Sequence, residues 1–192
     1  MIDLAKQKAV EFARWQACVP IANLIPTLDS VAKRLVANKG RYVNVENIAG
    51  VPWAIIAVIH ERESSQSWTA QLSQGDPLNK PSIHIPRNRG PFKSWEDGAV
   101  DALMHCAPFL SKWEDWSIGG ALCSLDGYNG EGYWNMGLPS PYIWSSTNQY
   151  THGKYIADGH FDPNAVDHQL GCAGLLLRMI VQDPSISGGW HP

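Results

Sequence analysis

The chain lacks most of the signatures that assign a function directly. No run reaches the roughly 18 apolar residues that a membrane-spanning helix needs, so no span is expected. The amino-terminal Met1-Ile2-Asp3-Leu4-Ala5-Lys6 has neither the basic region nor the apolar run of a signal peptide. Synthesis in the cytoplasm, with any export assisted from outside the chain, is the expectation. Charged residues make up only 17% of the sequence, and a net charge of −3 supplies no broad basic field for nucleic acid, although a local cationic groove is not excluded. The four cysteines (Cys18, Cys106, Cys123 and Cys172) form no CxxC pair and no small disulfide framework. Three of them fall in apolar helical patterns, where cysteine is usually a small core residue. Reduced thiols are expected, with pairing left open. There is no GxSxG elbow, no glycine-rich phosphate loop and no recognisable cysteine–histidine set, so a serine or cysteine hydrolase and a phosphate-loop nucleotide binder are not expected.

Hydrophobic residues, 44% of 192, are enough to bury a core, and no repeat or linker-like break divides the chain. One domain over 1–192 is therefore expected. What is abundant is aromatic: nine tryptophans and six tyrosines. Several fall in Gly/Pro-rich stretches, namely Trp68, Tyr133, Trp134, Tyr142, Trp144 and Tyr150. There they either stack on flat ligand faces such as sugar rings or bases, or pin loops onto a small core.

Periodicity and capping residues predict a mainly α chain. Helices are expected over 3–17, from Thr27 or Asp29 to about Asn38 with Gly40 as the stop, and over 51–65. Further helices are expected from the N-cap Ser94 to about Ala107, from Ile118 to Leu125 ending at Asp126-Gly127, and from Asp162-Pro163 to about Gln182. Residues 66–94 and 127–161 read as long irregular segments, with Ile83-His84-Ile85 as a brief strand. The tail from Ser187 to Pro192 reads as frayed. Structureless segments this long inside a compact chain are usually functional, and a cleft between the two is expected.

The stretch Val51-Pro52-Trp53-Ala54-Ile55-Ile56-Ala57-Val58-Ile59-His60-Glu61-Arg62-Glu63-Ser64-Ser65 carries the most chemistry. With Pro52 in its first turn, a helix stacks Ile56, Ile59 and Glu63 along one face and turns Glu61 nearly opposite. A carboxylate buried against isoleucines has a raised pKa, which suits a general acid near neutral pH. The alternative is that Glu63 lies past the helix end in solvent. His60-Glu61-Arg62-Glu63-Ser64 departs from the zinc-protease HExxH at its fifth residue, so a metal site is not expected and His60 reads as a packed, hydrogen-bonded residue. Glycoside cleavage pairs such an acid with a second carboxylate. Asp76, in Gln74-Gly75-Asp76-Pro77-Leu78, can fold back toward Glu63, or belongs to a plain turn. Glu96, Asp101 and Asp126 are weaker candidates, Glu96 reading as a first-turn acid facing the helix dipole.

Ala57-Val58-Ile59-His60-Glu61-Arg62-Glu63-Ser64 resembles the helix-borne Glu-Ser of soluble lytic transglycosylases and goose-type lysozymes. The end of Ala121–Gly130 resembles their Tyr-Asn-Ala-Gly. The whole run from Tyr42 to Leu177 resembles a lysozyme-like group of phage endolysins and bacterial muramidases. Its Gly-Val-Pro-Trp helix start, His-x-Arg-Glu-Ser, Gly-Asp-Pro-Leu, Trp-Glu, Ser-Pro-Tyr-x-Trp, Thr-Asn-Gln-Tyr, Gly-Lys-Tyr and Asp-Gly-x-Phe-Asp-Pro motifs all occur here in order. The resemblance implies a lysozyme-like fold and cleavage of the β-1,4 bond between N-acetylmuramic acid and N-acetylglucosamine. It implies Glu63 as general acid and Ser64 as its orienting neighbour, with Tyr128 and Asn129 in the cleft. Tyr128-Asn129-Gly130-Glu131-Gly132 lacks the Ala-Gly of the transglycosylases, which leaves hydrolase against transglycosylase open.

The expected function is thus peptidoglycan degradation, with Glu63 and Asp76 as catalytic residues. Ser64, Tyr128, Asn129, Tyr133, Trp134, Asn148, Gln149 and Tyr150 are expected to contact substrate. No cofactor or metal is called for, the partner is the glycan strand, and a monomer is expected. A non-catalytic wall-binding module and a metal-dependent wall peptidase or amidase are the rivals.

Overall fold

A computed structural model describes residues 3–157 and 159–189. The chain packs as two units, one formed by the chain up to Lys33 together with the chain from Asp115 onward, the other by Arg34–Glu114. It is mainly helical, and among the described residues the sheet content is one two-stranded hairpin.

In the Arg34–Glu114 unit, α3 (Lys39–Ala49), α4 (Trp53–Ser64) and α5 (Trp95–His105) pack together. Gly50, in the left-handed region at φ 70°, ends α3, and the chain turns through 111° before α4. Every residue of α4 from Trp53 to His60 is buried, so this helix is apolar all round rather than along one stripe. Tyr42, Val45, Leu72, Trp95, Ala99 and Leu103 are buried in the same unit. Ser94 caps α5 as expected, its hydroxyl accepting the Asp97 amide at 3.1 Å.

The other unit is built on α1 (Leu4–Gln16) against α6 (Ile118–Asn129). Asp3 caps α1, its carboxylate accepting the Lys6 amide at 3.1 Å. The hairpin β1 (Lys154–Ala157) and β2 (His160–Asp162) pairs Tyr155 with Phe161. Two short helices, α7 (Gly132–Asn135) and α8 (Pro141–Trp144), precede it, and α9 (Cys172–Gln182) packs on α8. α2 (Ile25–Ala37) contributes Leu28, Val31 and Ala32 to the core, and Asp29 takes the Arg178 guanidinium at 2.6 Å.

Several boundaries correct the sequence expectations. α2 starts at Ile25, ahead of Thr27 and Asp29, with Pro26 in its first turn. Gly40 does not stop a helix; it lies in the first turn of α3, which the periodicity missed. Pro52 is the N-cap of α4, one residue before the first turn. Ile83-His84-Ile85 is no strand but part of a bent loop. α6 runs through Asp126-Gly127 because the Asp126 side chain turns inward to Gln7, at 3.0 Å, instead of ending the helix. The segment 127–161 is not structureless, since it holds α7, α8 and β1. Asp162-Pro163 opens no helix: Asp162 closes a turn by accepting the Asn164 amide at 2.8 Å, and α9 begins only after Gly171. The expected frayed tail begins instead as a 3-10 turn, Pro184–Gly189, and Trp190-His191-Pro192 lie outside the described residues. No disulfide joins the four cysteines; Cys106, Cys123 and Cys172 are buried.

The contact of α1 with α6 depends on Gly119, where a Cβ would lie 2.8 Å from the Lys8 carbonyl oxygen. Gly119→Ala is expected to destabilise the protein by about 1–3 kcal/mol, the usual effect of overpacking. Gly127, in the same helix, has nothing within 4 Å of its Cβ position. Gly127→Ala is expected to be neutral or to stabilise by up to about 1 kcal/mol through helix propensity. Urea unfolding of the two variants beside the parent measures both.

Candidate active site

Glu63 is half-buried on the last turn of α4, at the point where the sealed helix reaches solvent. It does not share the full burial of Ile56 and Ile59, because the packing that encloses this helix ends with His60. The chain then reverses through two successive non-glycine residues in the left-handed region, Ser65 at φ 51° and Gln66 at φ 62°. That conformation costs about 1 kcal/mol per residue, and local bonds hold it. The Ser65 amide donates to the Glu61 carbonyl at 2.9 Å and the Gln66 amide to the His60 carbonyl at 3.2 Å. The Gln66 side-chain amide donates to Glu61 Oε2 at 2.7 Å. Ser64 Oγ donates to the His60 carbonyl at 3.3 Å. Glu61 therefore braces the turn that follows Glu63.

Beneath the turn lies His60, fully buried. Its Nε2 is 3.0 Å from the Ser67 carbonyl, which can only accept, so the ring proton sits on Nε2. Nδ1 then accepts from the Tyr42 hydroxyl at 3.0 Å. Trp68 and Trp95 lie over the ring with centroids at 4.6 and 4.4 Å. Burial lowers the His60 pKa to about 4, so the imidazole is neutral at pH 7. Above Trp68, the Arg41 guanidinium stacks at 3.7 Å and forms a two-point pair with Glu96, at 2.6 and 3.0 Å. Glu96 thus binds Arg41 rather than only facing the dipole of its helix.

The segment 66–94 forms no regular strand or helix; an isolated antiparallel bridge between Ala70 and Pro77, other backbone bonds and buried side chains together satisfy its backbone. Gln71 donates through Nε2 to the carbonyls of Pro77 and Lys80 at 3.2 and 3.0 Å. Ser82 Oγ donates to the Pro86 carbonyl at 2.6 Å and accepts the Arg89 amide at 2.9 Å. The segment does return to α4: at Gly75, with φ +72°, a Cβ would lie 3.0 Å from the Glu63 carbonyl oxygen. Asp76 follows, but both its oxygens are engaged. Oδ2 accepts the amides of Ile83 and His84 at 2.9 and 3.0 Å, and Oδ1 meets His84 Nδ1 at 2.7 Å. The His84 amide, with help from the His84 ring and the Ile83 amide, holds the Asp76 carboxyl below the usual carboxylate range. Asp101, another carboxylate considered from the sequence, pairs with Arg89, whose Nε lies 2.8 Å away.

The remaining expected residues belong to the other unit. Tyr128 is half-buried and Asn129 exposed, both on the last turn of α6 rather than in a loop. Tyr133 and Tyr150 are buried, which corrects the expectation that they stack on a ligand. Tyr133 packs edge-on against Tyr155 at 5.2 Å and its hydroxyl accepts the Tyr155 amide at 3.0 Å. The Tyr150 hydroxyl accepts the Asp167 amide at 3.0 Å. Asn148 clamps the strand-like stretch after α1, accepting from the Val19 amide at 2.8 Å and donating to the Ala17 carbonyl at 3.0 Å. Gln149 joins it on Ala17 at 3.2 Å. Trp134 is half-buried and, with Met136, faces Lys6, Val10 and Arg14 of α1 across a groove of about 600 Å³.

This unit also buries the carboxylates of Glu11, which the sequence pattern does not single out, and Asp126, a weaker candidate in it. Glu11, on the inner face of α1, accepts from Trp144 Nε1 at 2.7 Å and from Arg14 at 2.6 Å. Burial raises its pKa despite Arg14. Asp126 is pushed up to about 7, first by burial and then by the charge of Glu11. The available signal is the i, i+4 spacing of Gln7 and Glu11 on one face of α1. Among the described residues no group of three or more His, Cys, Asp or Glu is placed to hold a metal ion.

His60 and Asp126 give stability opposite dependences on pH. The unfolded chain protonates His60 near 6.5 but the folded one only near 4. Between those values the unfolded state binds more protons, so stability falls as pH drops, by about 3 kcal/mol in full. Asp126 ionises near 3.8 unfolded and near 7 folded, so its share of stability falls as pH rises through that window. Asp126→Asn removes only the second effect. Denaturant unfolding is expected to find this variant more stable than the parent at pH 8, by on the order of 3 kcal/mol, and the difference is expected to vanish near pH 4. A variant less stable than the parent at pH 8 contradicts the assignment.

Comparison of the chain with protein-family models, with curated proteins and with solved structures finds no match.

Proposed function

We propose that the protein is a peptidoglycan-cleaving glycosidase of lysozyme-like fold, with Glu63 as its general acid. The observation that carries this reading is the setting of Glu63. It stands at the open end of a helix that is otherwise sealed, beside a braced left-handed turn, with the Gly75 backbone brought against its own carbonyl. Backbone held in a sparsely populated conformation is concentrated at functional sites. The ordered motifs between Tyr42 and Leu177, and the mainly helical architecture, point the same way.

In this mechanism Glu63 protonates the glycosidic oxygen between N-acetylmuramic acid and N-acetylglucosamine as oxocarbenium character develops on the adjacent carbon. Ser64, bonded to the His60 carbonyl, fixes the helix turn that carries the acid. In the other unit Tyr128 and Trp134 are half-buried and Asn129 is exposed. Tyr133, Asn148, Gln149 and Tyr150 support the loops. Asp76 shapes the loop that returns to Glu63.

A second reading is favoured by one observation. Because His84 and two backbone amides occupy both Asp76 oxygens, this carboxylate is not disposed to activate water. The 6-hydroxyl of the muramic acid can then capture the cation and give the anhydro product, as in a lytic transglycosylase. Either way the enzyme acts at the bacterial wall and reaches it by release or assisted export.

Glu63→Gln is expected to slow clearing of a peptidoglycan suspension by at least about a hundredfold, the usual loss on removing a general acid. Glu61→Gln keeps a carbonyl oxygen to accept from Gln66, so the turn keeps its brace, and it is expected to clear within about twofold of the parent rate because Glu61 is not the proton donor. Wild-type clearing by the Glu63 variant would sink the proposal. Mass spectrometry of the released muropeptides separates the two readings: reducing ends mean hydrolysis, and products lighter by one water mean transglycosylation.

A further inference from the structure

Between Asp76 and Glu96 the chain contains no acidic residue, yet it carries Lys80, Arg87, Arg89 and Lys93 together with His84. In a protein of net charge −3 this concentrates positive charge in one loop. Arg89 is committed to Asp101. Lys80, Arg87 and Lys93 are exposed, as is His84. Among these cations stand two isoleucines, Ile83 at 72% and Ile85 at 82% exposure, the two most exposed large apolar side chains among the described residues.

The loop that presents them is braced. Asp76 holds the Ile83 and His84 amides, and the Ser82 amide donates to the Arg89 carbonyl at 2.9 Å. Inside that closure the Asn88 amide donates to the Ser82 carbonyl at 3.0 Å, and Ser82 Oγ reaches Pro86. At the base, Gln71 takes the Lys80 carbonyl. Three buried polar side chains thus hold a tip whose apolar residues find no cover in their own unit. Isolated exposed apolar residues are ordinary on protein surfaces. Two at i and i+2 on a pinned, cation-ringed tip form a different kind of feature.

We propose that this tip docks on an anionic phospholipid surface. Ile83 and Ile85 would enter the boundary between headgroups and acyl chains, while Lys80, Arg87 and Lys93 meet lipid phosphates. The charge selects an anionic partner, and the isoleucines select one with an apolar interior. A polyanion such as a nucleic acid satisfies only the first. Attachment of this kind is peripheral, and among the described residues no single helix is long and apolar enough to cross a membrane. It is also independent of glycan cleavage by Glu63.

The test is co-sedimentation of the full chain with vesicles of phosphatidylglycerol and phosphatidylethanolamine, beside vesicles of phosphatidylcholine. The protein is expected to pellet with the first, less so as salt rises, and to stay in solution with the second. Ile83→Ser with Ile85→Ser is expected to weaken the anionic-vesicle partition by at least about tenfold, and Lys80→Gln with Arg87→Gln and Lys93→Gln is expected to do likewise. Both sets lie on exposed positions, so thermal unfolding is expected to stay at the parent temperature. Ile48→Ser removes an isoleucine of 61% exposure elsewhere in the unit and is expected to bind as the parent does. No pelleting of the parent protein with anionic vesicles overturns the proposal. So does parent-like binding by the double isoleucine variant, which would make the loop a polyanion site. Equal pelleting with phosphatidylcholine overturns it as well.

Discussion

A buried neutral imidazole organises the unit that carries Glu63. His60 takes one hydrogen bond from the Tyr42 hydroxyl of α3 and gives one to the Ser67 carbonyl beyond the end of α4. It is enclosed by Trp68 and by Trp95 of α5. A single side chain thereby ties three helices to the turn that follows Glu63. Leaving either ring nitrogen unpaired in this apolar setting would forfeit the desolvation energy of a polar group. That two-sided satisfaction fixes where Tyr42 and Ser67 must lie. The left-handed residues Ser65 and Gln66 are tolerable because the chain on both sides of them is already anchored.

The same principle governs the long segment after α4. Its backbone pairing is limited to isolated bonds such as the Ala70–Pro77 bridge, and Gln71, Asp76 and Ser82 supply further partners from buried positions. The glycine at 75 lets the segment approach the Glu63 carbonyl. Asp76 then spends its carboxylate on the loop tip, which orders the backbone around Ile83 and His84. One stretch of chain in this way serves two ends: at its base it meets the helix terminus with the proposed acid, and at its tip it exposes two isoleucines among cations.

In the other unit the constraint is different. The inner face of α1 is polar, and Glu11 and Gln7 reach Trp144 and Asp126 across the core. Raised carboxyl pKa values there and a lowered imidazole pKa in the Arg34–Glu114 unit give the folded protein opposing proton linkages over overlapping pH ranges. Half of the aromatic residues of 127–161 serve the core of this unit: Tyr133 on α7, Tyr142 and Trp144 on α8, and Tyr150 are buried.

Local chemistry alone was enough for much of this. The apolar run of α4, the Ser94 cap of α5, the packed role of His60 and the helical ends near Gln16 and Gln182 are legible because neighbours in sequence determine them. Features that depend on distant partners were not legible. α3 was hidden because Tyr42, Val45 and Ala49 are apolar only at their contact face and Gly40 mimics a stop. Asp126 looked like a helix end, whereas Gln7, 119 residues away, makes it a buried one. Asn148 and Gln149 looked like ligand contacts, whereas the backbone at Ala17 claims them. The sequence by itself determined where α1, α4, α5 and α6 lie and which residue types are available for chemistry, since both follow from local periodicity and residue type. Only the tertiary structure decided which of those side chains are spent on internal partners and which stay at a surface, because a polar group's partner is set by what the fold brings within about 3 Å of it.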